Sequence, residues 1–198
     1  MRHSVVSILY VLVLACVVVA PVASAADQVE NPAYKGWKNF KVGSWSRLQG
    51  TMQSAAVPPG GNQATMTMVH KLVELTAEKA VIETTVTISM AGREIARPGQ
   101  RHDVPAMVDA DKADFGAVSD NPQMRDAKTD VKKGEEEIDV LGKKIKCNWV
   151  DITVTKPERT INVKVWHTLD IPGGMVQSET KSAQMSNTLK LTEFEIAK

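Results

Sequence analysis

The sequence predicts a mainly β protein, a single curved antiparallel meander sheet or half-barrel of about seven or eight strands with little helix. Across 63–90 and 147–168, apolar and β-branched residues alternate with polar ones at a period of two. A helix would instead repeat them at every third and fourth position. Short turn motifs such as Pro172-Gly173-Gly174 separate the segments. We therefore expect local hairpins between successive strands.

Residues 1–25 are typical of an export signal. A basic start precedes an apolar run over 5–19, and Ala23-Ser24-Ala25 has the small residues that a signal peptidase requires. Cleavage after Ala25 would leave 26–198 as a single β domain, periplasmic or secreted. An uncleaved membrane anchor is one alternative, and a lipoprotein modified at Cys16 is another. All three interpretations place the domain outside the cytoplasm.

Composition excludes several classes of protein. The chain has 198 residues with 24 basic and 23 acidic side chains, and without residues 1–25 it has 23 of each. A net charge near zero argues against a nucleic-acid partner, since such a protein needs a basic surface to meet phosphate. Cys147 is the only cysteine after the signal, which excludes a disulfide scaffold or a multi-cysteine zinc site. The lack of a second long apolar run predicts no membrane span after signal cleavage.

The first hairpin is predicted over 63–90, with its turn at 76–79. Pairing that starts beside the turn puts Val69 opposite Val86 and gathers most aliphatic residues on one face. A slip of one residue would pair Val69 with Thr85 and mix the two faces, so we expect the unslipped register.

A second hairpin is predicted around a proline-containing turn at 156–159. Its register puts Ile152 opposite Val163 on a β-branched core face. The other face then carries a cross-strand pair of indoles, Trp149 and Trp166.

A third hairpin precedes it, with Gly142 and Lys143 as the predicted turn. This turn would pair Val140 with Ile145, and Ile138 with Cys147, on the face that carries Trp149. That end of the sheet would then be apolar on both sides and would need cover from 29–42 or 98–133.

Further strands are predicted at 43–55, 175–184 and 187–196. The segment 98–133 is rich in Pro, Asp and Lys and is predicted to be a long loop or insertion. It is expected to act as a lid or to be disordered, with one short helix at 106–115.

Catalytic motifs are absent from the sequence: there is no nucleophile elbow, no HExxH and no phosphate loop. Asp109, Asp111 and Asp114 lack the spacing and glycine of a calcium loop and indicate a solvated charge run. Cys147 and His167 would lie on opposite faces, which predicts a structural thiol. We therefore expect no catalytic residue, no metal, no cofactor and no enzyme activity.

The candidate ligand site is the apolar surface around the predicted indole pair. It comprises Trp149 and Trp166 with Ile138, Val140 and Ile145. One interpretation is a groove that accepts a lipid tail or the side chains of a partner. The other is a second small core under the N-terminal segment.

A resemblance to a known group rests on short motifs in a fixed order. They are Gly43-Ser44-Trp45, Gly134-Glu135-Glu136, Gly142-Lys143, Cys147, Val165-Trp166 and Pro172-Gly173-Gly174. Their order resembles small exported bacterial proteins of unknown function, whose architecture is similar to that of the periplasmic lipoprotein carriers (the LolA, LolB and LppX-like group). The resemblance implies a bent sheet able to hold an acyl chain. It implies no catalytic or binding residues.

The function expected from the sequence is that of an exported, non-catalytic binding module. Its ligand would be a lipid or another hydrophobic small molecule held against the curved sheet. The alternative is a module for protein–protein interaction or structure in the cell envelope, with an envelope protein as partner.

Overall fold

The computed structural model describes residues 27–54, 63–110, 113 and 128–198. Eleven strands and one short helix, α1 (Pro32–Lys35), lie in these residues. The strands in chain order are β1 (Gln28–Glu30), β2 (Trp45–Ser54), β3 (Ala64–Leu75), β4 (Lys79–Met90), β5 (Arg93–Pro105), β6 (Met107–Asp109), β7 (Lys128–Val140), β8 (Lys143–Lys156), β9 (Arg159–His167), β10 (Met175–Ser182) and β11 (Met185–Glu195).

Nine strands form one antiparallel sheet, in the order β5-β4-β3-β2-β11-β10-β9-β8-β7, and β1 and β6 form a separate two-stranded sheet. The mainly antiparallel class is confirmed, but the strand number exceeds the predicted seven or eight. The chain forms two meanders, β2–β5 and β7–β11, which join where the last strand pairs with β2. The sheet is open, with β5 and β7 at its edges.

The segment predicted as a long loop contains much of both edge strands. Residues 98–105 belong to β5, and 128–133 belong to β7. Between them, β6 occupies part of the predicted helix at 106–115, so that helix is wrong. The prolines and charges of this segment, which suggested a loop, are compatible with edge strands because an edge strand leaves half of its N–H groups unpaired and its faces in water.

The β8–β9 hairpin has the predicted register, with Trp149 opposite Trp166 and Ile152 opposite Val163. The β7–β8 hairpin differs by two residues. Its turn is Leu141-Gly142, both with positive φ, so Ile138 pairs with Ile145 rather than with Cys147. A shift of two keeps each side chain on its predicted face.

The β3–β4 hairpin departs from its predicted register because of a bulge. Leu75 pairs with Ala80 beside the turn, but an irregularity between Leu72 and Glu74 places an extra residue in β3. Beyond it, Val69 pairs with Thr85, which is the slipped register that the sequence argument rejected. From Leu72 back to the start of β3, each residue therefore lies on the opposite face from the predicted one, relative to β4.

Two separate cores stabilise the fold. The first is formed by the segment around α1, packed on one end of β3, β4 and β5: Tyr34, Trp37, Phe40, Leu72, Ala80, Ile82, Val104 and Ala106. The second gathers side chains from the other half of the sheet: Val140, Cys147, Trp166, Ile171, Val176 and Leu191. The segment 29–42 therefore covers β3–β5 and is absent from the second core among the described residues.

The larger sheet is bent in its second half. Cα atoms of β7 and β11 approach within 8 Å of each other, although the two strands are four places apart in the sheet. In a flat sheet four strand spacings amount to about 19 Å. The β7 edge therefore turns back towards β11, and this bend brings the residues of the second core together.

Candidate functional site

One face of the nine-stranded sheet is mostly apolar, and its central row crosses all nine strands. Cross-strand partners point to the same face, so the register can be followed from one edge to the other. We call three such rows the apolar face. The central row runs Ile95, Ile88, Met66, Gly50, Leu189, Ser178, Val165, Val150 and Lys133.

The two flanking rows have the same character. On one side the row is Arg97, Val86, Met68, Leu48 and Leu191, where Leu191 is also part of the second core and a bulge in β10 interrupts the row. On the other side it is Ala64, Met52, Asn187, Thr180, Val163, Ile152 and Val131, with Met90 and Arg93 paired at its β5 end.

The opposite face is polar, and we call it the polar face. Its row next to the central apolar row contains charged and hydroxyl side chains in every strand. This row is Lys132, Asp151, Lys164, Glu179, Thr188, Thr51, Thr65, Ser89 and Glu94. Outside the second core the sheet is therefore amphipathic, with hydrocarbon on one side and solvated groups on the other.

Burial on the apolar face decreases towards the β5 edge. Leu48, Leu189 and Ile152 are buried, and most of their neighbours in the rows are half-buried. At the edge, Met90 is 51% exposed and Ile95 is 59% exposed. Contiguous exposed apolar surface of this kind marks sites for ligands or partners.

Two buried polar atoms of this side of the sheet lack a hydrogen-bond partner among the described residues. One is Oδ1 of Asn187, a residue of one flanking row. The other is Nε2 of His70, which lies two residues after Met68 on β3 and on the same face. Nδ1 of His70 lies 2.9 Å from Thr84 Oγ1. Burial, reinforced by nearby His102, lowers the pKa of His70 to about 4, so the ring is neutral at physiological pH.

The predicted indole site is present but lies on the other face of the sheet. Trp149 and Trp166 are direct cross-strand partners, on the side opposite Val150 and Val165. A Cβ on Gly134 would lie 2.5 Å from the Trp149 ring, so this indole packs directly on the β7 backbone.

A lysine and a glutamate complete the indole cluster. Lys164 Nζ lies 4.6 Å from the centre of the Trp149 ring and 4.4 Å from that of Trp166. Glu136 accepts hydrogen bonds from the Trp166 indole N–H and, at 3.3 Å, from Lys164. The indole hydrogen bond, followed by that of Lys164, lowers the pKa of Glu136. The polar groups of the cluster therefore satisfy one another.

The five predicted site residues are brought together as part of the second core. Trp166 and Val140 are buried in it, and Trp149, Ile138 and Ile145 pack against it half-buried. These residues belong to a small core, but among the described residues the N-terminal segment that was predicted to cover it packs in the first core instead. This arrangement leaves the apolar face as the larger candidate surface.

Cys147 and His167 lie on opposite faces of the sheet. Cys147 is buried opposite Glu136, and burial raises the pKa of its thiol, which disfavours the reactive thiolate. His167 pairs with Asn148, and burial lowers its pKa. In the described ranges no group of three or more His, Cys, Asp or Glu is placed to hold a metal ion. Of the same residues, none belongs to a helix long and apolar enough to cross a bilayer.

No protein-family model and no curated protein matches the chain. It is similar to the crystal structure of a Bacteroides fragilis protein inferred to be exported, with a YmcC-like fold. The identity is 11%, the TM-score 0.42, and the match covers 79% of this chain and 97% of the other. A Parabacteroides distasonis protein inferred to be a lipoprotein matches at 13% identity and a TM-score of 0.42, over 82% and 99% of the two chains. The resemblance to lipoprotein carriers stays a prediction.

Sequence reasoning missed half of the apolar face. It gathered the β-branched face of β8 and β9 correctly, but it placed Met66 and Met68 with polar neighbours. The alternation of β3 and β4 contained the signal, since the slipped register pairs Met66 with Ile88 and Met68 with Val86. Which rows of the two meanders align follows only from the β2–β11 pairing.

Proposed function

We propose that the protein is an exported, non-catalytic binding module that holds a lipid or another hydrophobic molecule against the apolar face of its sheet. The observation that carries the proposal is the continuity of this face. Its central row crosses all nine strands, and the face reaches the exposed Met90 and Ile95 at the β5 edge. Covering this hydrocarbon would contribute about 25 cal/mol for each Å² removed from water.

The composition of the face suits a flexible ligand. Methionines from three strands, Met52, Met66 and Met90, lie beside branched aliphatic residues. Unbranched thioether side chains adapt to ligands of different shape more readily than Val or Ile. A face built in this way favours a hydrocarbon chain over a rigid polar molecule.

The test is native mass spectrometry of the protein, purified without detergent from the envelope of its own host. We expect a stoichiometric adduct with the mass of a lipid. Ile88→Glu puts a charge on the apolar face and should abolish the adduct. Thr87→Glu puts the same charge on the adjacent residue of the opposite face and should retain it. Wild-type protein of the bare polypeptide mass would contradict the proposal.

If the Ile88→Glu variant does not fold, Met66→Gln makes a milder change on the same row, with Thr67→Gln as its control. Loss of the adduct from both variants, or from neither, would contradict binding at the apolar face.

A second candidate, an envelope interaction module, is favoured by one observation. Every residue of β5 from Arg93 to Asp103 is exposed, and this strand is an edge of the sheet. An open edge accepts a strand from a partner. Protection of the β5 amides from hydrogen exchange on addition of host envelope proteins would favour this function, and unchanged exchange would contradict it.

A further inference from the structure

The charges near the exposed β5 end of the apolar face have one sign. In β5 and β4 the three rows contain Arg93 and Arg97 and no carboxylate, whereas at the β7 edge Lys133 shares its side of the sheet with Glu135. The adjacent row of the polar face contains charges of both signs, for example Asp151 and Glu179 with Lys164. The β5 end of the apolar face therefore combines hydrocarbon with two positively charged arginines.

The two arginines are close to the exposed end of the hydrocarbon. Arg93, Ile95 and Arg97 alternate along β5, so all three point to the apolar face, and Ile95 pairs with Ile88. Four residues of strand separate the arginine Cα atoms by about 13 Å.

Neither guanidinium has an ion pair within the described part of the chain, whereas Arg101 on the same strand binds Glu83 at 3.0 Å. The apolar face offers Arg93 and Arg97 no carboxylate at all. Both side chains are exposed and are long enough to reach a group lying between them.

The chemistry of arginine restricts what such a group can be. The planar guanidinium donates parallel hydrogen bonds to carboxylate or phosphate, and it does so more strongly than to neutral acceptors. A simpler role is also open to these side chains, since their aliphatic stems can cover neighbouring hydrocarbon while the charge stays in water. The two roles differ in one measurable respect, because only the first gives a preference for an anionic ligand.

We propose that the ligand of the apolar face is an anionic lipid, whose negatively charged head group is bound by Arg93 and Arg97 while its hydrocarbon chain lies along the apolar rows. This inference rests on the proposed function and adds the chemical class of the ligand. The head group stays at the β5 edge in contact with water, so its charge is not buried.

The experiment compares three probes with the same twelve-carbon chain by isothermal titration calorimetry. Dodecyl phosphate is anionic, dodecyl phosphocholine is zwitterionic and dodecyl maltoside is uncharged. We expect dodecyl phosphate to bind at least about tenfold more tightly than the other two, with an affinity that falls as salt is added. Arg93→Gln/Arg97→Gln should lower its affinity about tenfold and leave that of dodecyl maltoside unchanged.

The matched control is Lys132→Gln/Lys190→Gln, which removes the same net charge from exposed residues of the polar face. It should bind dodecyl phosphate like the wild type. Equal affinity for the three probes, or an unaffected double arginine variant, would overturn the anionic preference and leave the proposed function standing. Failure of all three probes to bind would contradict the proposed function itself.

Discussion

Gly50 is the residue that the central apolar row depends on most directly. A Cβ at this position would lie 1.6 Å from the carbonyl oxygen of Thr188 in the neighbouring strand. No side chain fits there, because the obstacle is backbone and cannot rotate away. Gly50 therefore permits the close approach of β2 and β11, the pair that joins the two meanders.

We predict that Gly50→Ala lowers the free energy of unfolding by about 2–4 kcal/mol, because the added methyl forces the two strands apart. Urea denaturation monitored by tryptophan fluorescence measures the effect. Thr51→Ala, the neighbouring residue on the polar face, is the control and should cost less than about 1 kcal/mol. Equal effects of the two substitutions would contradict the role assigned to Gly50.

His70 gives the stability of the fold a specific pH dependence. Its pKa is about 4 in the folded chain against 6.5 in the unfolded one, so the unfolded state binds the extra proton between these values. The free energy of unfolding therefore has its full value, as far as His70 is concerned, above pH 6.5, and it decreases as the pH falls towards 4. We predict a loss of roughly 3 kcal/mol over this range.

Urea denaturation at a series of pH values tests this prediction, and His70→Gln provides the comparison. The glutamine variant should lose less stability on acidification than the wild type, since it has no proton to gain. Parallel pH profiles for the two proteins would show that His70 is not the group responsible.

At the scale of elements, the hairpins differ in how clearly their turns are encoded. Pro157 fixes the β8–β9 turn, and the register that follows from it is correct throughout. The β7–β8 turn places Leu141 at a φ of 53°, a conformation that Asn or Gly adopts far more readily. Gly142 indicates a turn, but nothing in the sequence marks Leu141 as its first residue, so the predicted register is displaced by two residues.

The same strain makes Leu141 a position that can be improved. We predict that Leu141→Asn raises the free energy of unfolding by about 0.5–1 kcal/mol, because Asn tolerates the left-handed conformation. Leu141 is 49% exposed, so little burial is lost. Thermal denaturation should show a higher midpoint, and a lower midpoint would mean that the leucine side chain contributes packing that outweighs its backbone strain.

The bulge in β3 shows where the alternation of apolar and polar residues fails to predict the register of a hairpin. The stretch from Ala64 to Leu75 contains no Gly or Pro, so nothing in the sequence marks Val73 as the extra residue of the bulge. Leu72 and Ile82, which pair directly beyond the bulge, are both buried in the first core. A register extrapolated from the turn is therefore correct only as far as the bulge.

At the scale of the whole molecule, the fold class could be predicted because it follows from local alternation and turns. The strand order could not, since the pairing of β2 with β11 joins segments more than a hundred residues apart. The same pairing creates the apolar face by aligning the methionines of β3 with the aliphatic residues of β8 and β9. The sequence argument identified apolar residues correctly but had no means of aligning them across the two meanders.

The candidate site was predicted at the indole pair for a related reason. Trp149 and Trp166 are the largest apolar side chains that can be paired from local register alone, and their pairing is correct. Their environment was not accessible, because Gly134, Glu136 and Lys164 satisfy the cluster from two neighbouring strands. A cluster that is internally satisfied offers a ligand less than the open hydrocarbon of the apolar face does.

The central claim is that ligands bind to the apolar face, and photo-crosslinking tests it most directly. The protein is irradiated with a palmitic acid analogue that carries a diazirine in its chain, and the modified residues are located by peptide mass spectrometry. We predict adducts on apolar-face residues such as Met66, Ile88 and Val165, suppressed by an excess of unlabelled palmitate. Adducts confined to the polar face or to the indole cluster, or insensitive to competition, would contradict the account.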